Sequence, residues 1–130
     1  MLKLFKLYLP PIFWAGFIFW NSAQPHHKVP KFYFPHIDKV AHFVVYFILG
    51  YLITRLLCQG NIKKLSRGII IWAIVIGSLY GISDEFHQYF VPGRSTDVFD
   101  WIADTFGVIS AQGAILYLSR RFEKFFRHIF

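Results

Sequence analysis

The stretch 68–89, GIIIWAIVIGSLYGISDEFHQY, decides the fold. From Gly68 to Ser83 it carries no charge, and about 20 mostly apolar residues suffice for a helix to cross a hydrocarbon core. The run ends on Asp84, Glu85, His87 and Gln88, so chemistry-bearing side chains stand at one membrane boundary. Three more apolar stretches surround it, Leu7 to Trp20, Val40 to Leu57 and Val98 to Leu118. The last two are long enough to span. The first becomes so if it extends back through Leu2, Leu4 and Phe5, with Lys3 and Lys6 snorkelling to the headgroups. Pro10 and Pro11 should kink that helix or mark its start. A cleaved signal peptide is the competing reading, with Lys3 and Lys6, an apolar run and then Asn21-Ser22-Ala23. Its core is unusually aromatic, and Asn stands where a small residue is preferred. The expected fold is therefore all-α and polytopic. Four transmembrane helices occupy residues 1–118, and a basic amphipathic cytoplasmic tail occupies residues 119–130.

Composition agrees. The chain has 130 residues, which points to one domain. It is 55% hydrophobic and 21% aromatic with only 16% charged residues, and its mean hydropathy is +0.43. A soluble domain this small could not hide so much apolar surface, whereas lipid accepts it. The lone Cys58 excludes an intrachain disulfide. The formal charge of +7 would suit nucleic acid, but its distribution argues otherwise. Lys3, Lys6, Arg55, Lys63, Lys64, Arg67, Arg120, Arg121, Lys124 and Arg127 fall on one side of the expected bundle. Lys28, Lys31, Lys39 and Arg94 fall on the other. The positive-inside rule makes the first side cytoplasmic and puts both termini inside. The acids show the opposite bias: Asp38, Asp84, Glu85, Asp97, Asp100 and Asp104 lie outward, with Glu123 inside. No nucleic-acid motif or basic reading helix accompanies the charge, so no nucleic-acid partner is expected.

The connections carry their own signals. The first outer loop holds Pro25, Pro30 and Pro35 with Phe32, Tyr33 and Phe34, and should run extended along the interface. The inner loop near Gln59 to Arg67 is basic. Pro92-Gly93 marks a tight outer turn. From Ser119 onward, Arg121, Lys124 and Arg127 alternate with Phe122, Phe125, Phe126 and Phe130, as in a helix resting on the inner leaflet.

Helical spacing groups the polar residues. Asp38, His42 and Tyr46 share one face of the second helix, with Lys39 beside them. Gly77 and Gly81 continue the stripe below the Asp84 cluster. Asp97, Asp100 and Asp104 recur at i, i+3 and i+7, and their stripe continues through Gly107, Ala111 and Ala114. Small residues let membrane helices approach closely, so the acids should face the bundle interior. Asp104 then lies roughly 10 Å deeper than Asp97 at 1.5 Å per residue.

Plainer roles compete at several positions. Asp38 and Asp97 stand where helices begin and suit N-caps. Asp100 complements a helix dipole. Lys39 can snorkel, and His26, His27, Lys28 and Lys31 suit a solvated loop. Tyr46 suits core packing with a satisfied hydroxyl, and His87 and Gln88 suit the interface. His42, Glu85 and Asp104 resist such readings, because they lie a turn or more inside their helices. Ionisable groups at that depth are costly and usually functional, with a buried structural network as the alternative.

Four ordered blocks resemble the VanZ-like membrane proteins. They are Asp38-Lys39-Val40-Ala41-His42-Phe43-Val44-Val45-Tyr46, Ser83-Asp84-Glu85-Phe86-His87-Gln88, Val91-Pro92-Gly93-Arg94-Ser95, and Asp97 and Asp100 leading into Ala103-Asp104-Thr105-Phe106-Gly107. The likeness runs from Ser22-Ala23-Gln24-Pro25 to about Gly113. It implies a multi-pass protein of the bacterial cytoplasmic (inner) membrane. The name-giving member of that family confers modest resistance to the glycopeptide teicoplanin. Position 104 is often Asn in such proteins, which implies that a neutral amide serves there.

Three function classes follow. In the first, an outward pocket of Asp38, Lys39, His42, Tyr46, Asp84, Glu85, Gln88, Arg94, Asp97, Asp100 and Asp104 binds an envelope lipid or glycopeptide-type ligand. The planar guanidinium fork of Arg94 suits a phosphate or carboxylate. In the second, an intramembrane hydrolase or transferase works on an envelope lipid, with His42, Glu85, His87 and Asp84 as acid–base candidates. In the third, the bundle carries a cation or small solute. Binding ranks first and transport last, because no paired broken helices are visible. No G-x-S-x-G elbow occurs, and Cys58 lies at the wrong end to be a nucleophile for this cluster. The His and carboxylate set has the right chemistry for a divalent metal, yet no compact signature such as H-E-x-x-H appears, so neither metal nor other cofactor is assigned. Membrane lipids are the expected surroundings, and no motif names a protein partner.

Overall fold

The computed structural model describes residues 2–25, 37–122, 124 and 130. The central part of the first outer loop, with Pro30, Phe32, Tyr33, Phe34 and Pro35, lies outside the described residues. So does most of the tail beyond Phe122. Four helices follow in order: α1 Leu2–Ser22, α2 Ile37–Leu57, α3 Arg67–Gln88 and α4 Val98–Arg121, with no strand among the described residues. Three of them, α2, α3 and α4, are long and apolar enough to cross a membrane.

Local chemistry explains the boundaries. The Ser66 side chain accepts from Ile69 N at 3.3 Å and starts α3, while Asp97 accepts from Phe99 N at 2.9 Å and starts α4. Between α2 and α3, a single 3-10 turn over Ile62–Lys64 is capped by Asn61. Between α3 and α4, Arg94 N donates to Val91 O at 3.1 Å across Pro92 and Gly93. Gly93 takes φ +76°, the left-handed geometry that the turn requires.

Pro10 and Pro11 neither start nor stop α1; both lie inside it. Proline at position 10 removes the N–H that would bond the carbonyl four residues earlier, that of Lys6. Arg55, at the end of α2, donates Nη1 to Lys6 O at 3.0 Å. The helix thus tolerates the proline because a neighbour satisfies the freed acceptor. Two further side-chain bonds tie α1 to the bundle, Trp14 Nε1 to Val45 O at 2.9 Å and Tyr80 OH to Ala15 O at 2.6 Å.

Tyr46, Leu49, Ile53, Ala73 and Val108 form the core with Ile18. The α2–α4 seam is the most extensive helix contact. Within a bilayer, close packing and hydrogen bonds drive helix association more than apolar burial does. The expected small-residue stripes supply that closeness. A Cβ on Gly107 would collide with the Phe43 carbonyl and approach Phe47 N to 2.9 Å. One on Gly77 would come within 2.7 Å of Val108. Outward faces are apolar, with Ile12, Phe13, Ile71, Trp72, Leu79 and Phe106 all exposed. So much contiguous apolar surface suits lipid contact.

Candidate functional site

The N-terminal ends of α2 and α4 and the C-terminal ends of α1 and α3 meet at one end of the bundle. That end collects the acids. Lys39 Nζ lies 2.9 Å from Asp38 Oδ2, 2.6 Å from Asp97 Oδ2 and 2.6 Å from Asp100 Oδ1. Lys39 therefore does more than snorkel: it clasps α2 to α4. Asp97 joins two tasks, capping α4 and holding Lys39. The bond from Lys39, aided by the Phe99 N–H, keeps the Asp97 carboxyl below the usual carboxylate range. Asp38 keeps a largely exposed side chain.

One turn deeper, His42 Nδ1 lies 2.8 Å from Asp104 Oδ1, and its Nε2 lies 3.9 Å from Asp100 Oδ2. Asp104 is fully buried, and its Oδ2 has no hydrogen-bond partner among the described residues. A Cβ on Gly81 would sit 3.1 Å from that oxygen, so the glycine stripe gives the acid its room. From α3, Glu85 Oε2 accepts the backbone N–H of Asp97 at 2.9 Å, while its buried Oε1 has no partner among the described residues.

A second cluster joins α1 to α3. Ser22 Oγ donates to Asp84 Oδ1 at 2.5 Å, and Gln88 Nε2 lies 3.2 Å from Asp84 Oδ2. Arg94 Nη2 donates to Gln88 Oε1 at 3.0 Å, which folds the α3–α4 turn over the site. Helix dipoles make this arrangement informative. Carboxylates near the starts of α2 and α4 are favoured there, but Asp84 and Glu85 sit at the negative end of α3. Their placement opposes local helix stability and is held by tertiary bonds.

Two cavities open among these groups. One of about 310 Å³ is lined by Asp38, His42, Gln88, Gly93, Arg94, Ser95, Asp97 and Asp100. A smaller one of about 50 Å³ reaches Ser22, His42, Tyr46, Asp84 and Arg94. Tyr46 is buried in the core, and its hydroxyl has no partner among the described residues. His87 instead stacks on Phe19 of α1, with ring centroids 4.2 Å apart. Cys58 is buried at the opposite end, where burial pushes its thiol up to about 11.

Thus His42, Glu85, Asp100 and Asp104 converge, with Asp38, Lys39, Arg94 and Asp97 at the rim. Asp84, Gln88 and Tyr46 extend the site toward α1. Sequence reasoning passed over Ser22 as a site residue. An uncharged Ser closing an aromatic helix carries little signal, although the family likeness begins at it.

These features define a helical protein of the membrane type with an acidic, cation-rimmed pocket at one end. The VanZ/LLP1 family model matches residues 5–121, and the chain belongs to that family. No curated protein and no solved structure matches it.

Proposed function

We propose that the chain is a VanZ-like cell-envelope protein whose pocket binds the polar head of an envelope lipid or a glycopeptide-type ligand. On this reading it modulates glycopeptide susceptibility. The cavity of about 310 Å³ carries the proposal, because it sets Arg94 beside a wall of fixed carboxylates. A guanidinium grips phosphate or carboxylate, and acids opposite it orient sugar hydroxyls or an amine. Its size suits a head group rather than a whole glycopeptide. In this reading α1 also crosses the bilayer, giving four spans with both termini cytoplasmic and the Arg94 turn outside.

Protein in nanodiscs, incubated with labelled undecaprenyl-linked lipid, should retain the label unchanged. Turnover would favour the hydrolase or transferase reading, and no retention by folded protein would overturn binding. Orientation is tested with Ser95→Cys in a Cys58→Ser background. An impermeant thiol reagent should label intact cells; labelling only after lysis would refute the topology.

A further inference from the structure

We infer that His42, Glu85 and Asp100 form a site for one divalent transition-metal ion, with Asp104 as the residue that orients His42. The inference goes beyond head-group binding and does not depend on it.

The three residues come from α2, α3 and α4, and each offers a donor atom within 4.8 Å of the others. Asp104 Oδ1, 2.8 Å from His42 Nδ1, selects the tautomer protonated at Nδ1. Nε2 then presents its lone pair. A carboxylate behind a histidine in this way is the usual support of a metal-bound imidazole. The 3.9 Å from Nε2 to Asp100 Oδ2 is too long for a hydrogen bond. It approaches the separation of two donors sharing an ion at about 2.0–2.2 Å each.

The carboxylates are arranged to match. Asp100 gives Oδ1 to Lys39 and keeps Oδ2 toward the histidine. Glu85 is fixed through Oε2 by the Asp97 N–H, while its Oε1 is buried without a hydrogen-bond partner among the described residues. Glu85 is only 8% exposed, so that oxygen has no access to bulk water as a substitute partner. Leaving a buried acceptor bare is costly, more so when it is charged, unless something binds it. Formal charge points the same way. Six carboxylates, Asp38, Asp84, Glu85, Asp97, Asp100 and Asp104, face two fixed cations, Lys39 and Arg94. One imidazole with two carboxylates suits Zn²⁺ or Mn²⁺ better than Ca²⁺, which takes six to eight oxygens. Three protein ligands leave open positions toward the larger cavity, which His42 and Asp100 both line.

The test uses the full chain in detergent, without a polyhistidine tag, carrying His26→Ala, His27→Ala and Cys58→Ser to remove stray ligands. After chelator dialysis, Zn²⁺ and Mn²⁺ are titrated separately. One ion per chain should bind, and the melting temperature should rise with ion concentration. His42→Ala, Glu85→Gln and Asp100→Asn should each weaken binding at least tenfold. Asp104→Ala should weaken it roughly tenfold to a hundredfold, and Gln112→Leu should not. Should the ligand variants misfold, ¹⁵N-histidine spectra of the parent decide: Zn²⁺ should shift His42 Nε2 and leave Nδ1 protonated. Folded protein that binds no ion, folded ligand variants that bind it undiminished, or shifts confined to other histidines would overturn the site. No lipid is present, so failure of head-group binding is scored separately.

Discussion

The bundle interior buries polar side chains at two levels, and they solve different problems. Toward the basic end, Thr54 Oγ1 lies 2.8 Å from Gln112 Oε1 and 2.9 Å from Gly50 O. The Gln112 amide nitrogen faces the Gly50 and Val108 carbonyls at 3.4 and 3.3 Å. The pair is neutral and closes its own hydrogen bonds. At the acidic end, Glu85, Asp100 and Asp104 are comparably buried, yet Glu85 Oε1 and Asp104 Oδ2 have no partner among the described residues. A polar group kept for packing finds a partner within the packing. Buried acceptors that the described packing does not satisfy call for another explanation, and a bound group supplies one.

The strongest test replaces charge while keeping shape. Glu85→Gln still accepts the Asp97 N–H, and His42→Gln keeps a polar group of similar reach. Both should insert at normal abundance and lose tenfold or more in lipid retention. Retention falling only in step with abundance would make the acidic end another structural pair.

Arg94→Gln should have a smaller effect. Its guanidinium is partly exposed and solvent-screened, so a loss of roughly threefold to tenfold in retention is expected, with little change in melting temperature. Unchanged retention would take Arg94 out of the binding reading. Smaller again is Asp104→Asn, where the amide oxygen still accepts from His42. Less than a threefold change in retention is expected, and a loss as large as that of Glu85→Gln would show that charge at 104 is needed.

The smallest effect on binding belongs to the other level. Thr54→Val combined with Gln112→Leu removes both partners together, and stability by thermal melting should move by about 1 kcal/mol or less. Lipid retention should not move at all. If it fell while the fold persisted, the two levels would not be independent.

Much of the fold was legible. The apolar runs at Val40 to Leu57, Gly68 to Tyr89 and Val98 to Leu118 correspond to α2 Ile37–Leu57, α3 Arg67–Gln88 and α4 Val98–Arg121. They are legible because lipid demands unbroken apolar helices, with every backbone bond made within the segment. The N-terminal helix was harder to read, since Pro10 and Pro11 look like boundaries. Only a distant Arg55 reveals why they are not. His87 shows the converse. Its place in a polar block made it an acid–base candidate, and one helical step turns it onto Phe19.

The sequence by itself determined the helices, the end that carries the acids, and the glycine and alanine stripes that bring that end together. These follow from periodicity along a chain, where each residue's face is set by its own helix. Tertiary structure decided which atoms meet. It chose Lys39 for the Asp97 and Asp100 carboxylates, His42 for Asp104, and Ser22 for Asp84. It also gave Glu85 Oε1 no partner among the described residues. Partners 58 to 62 residues apart share no local pattern, because helix packing sets their pairing through rotation and depth rather than through spacing along the chain.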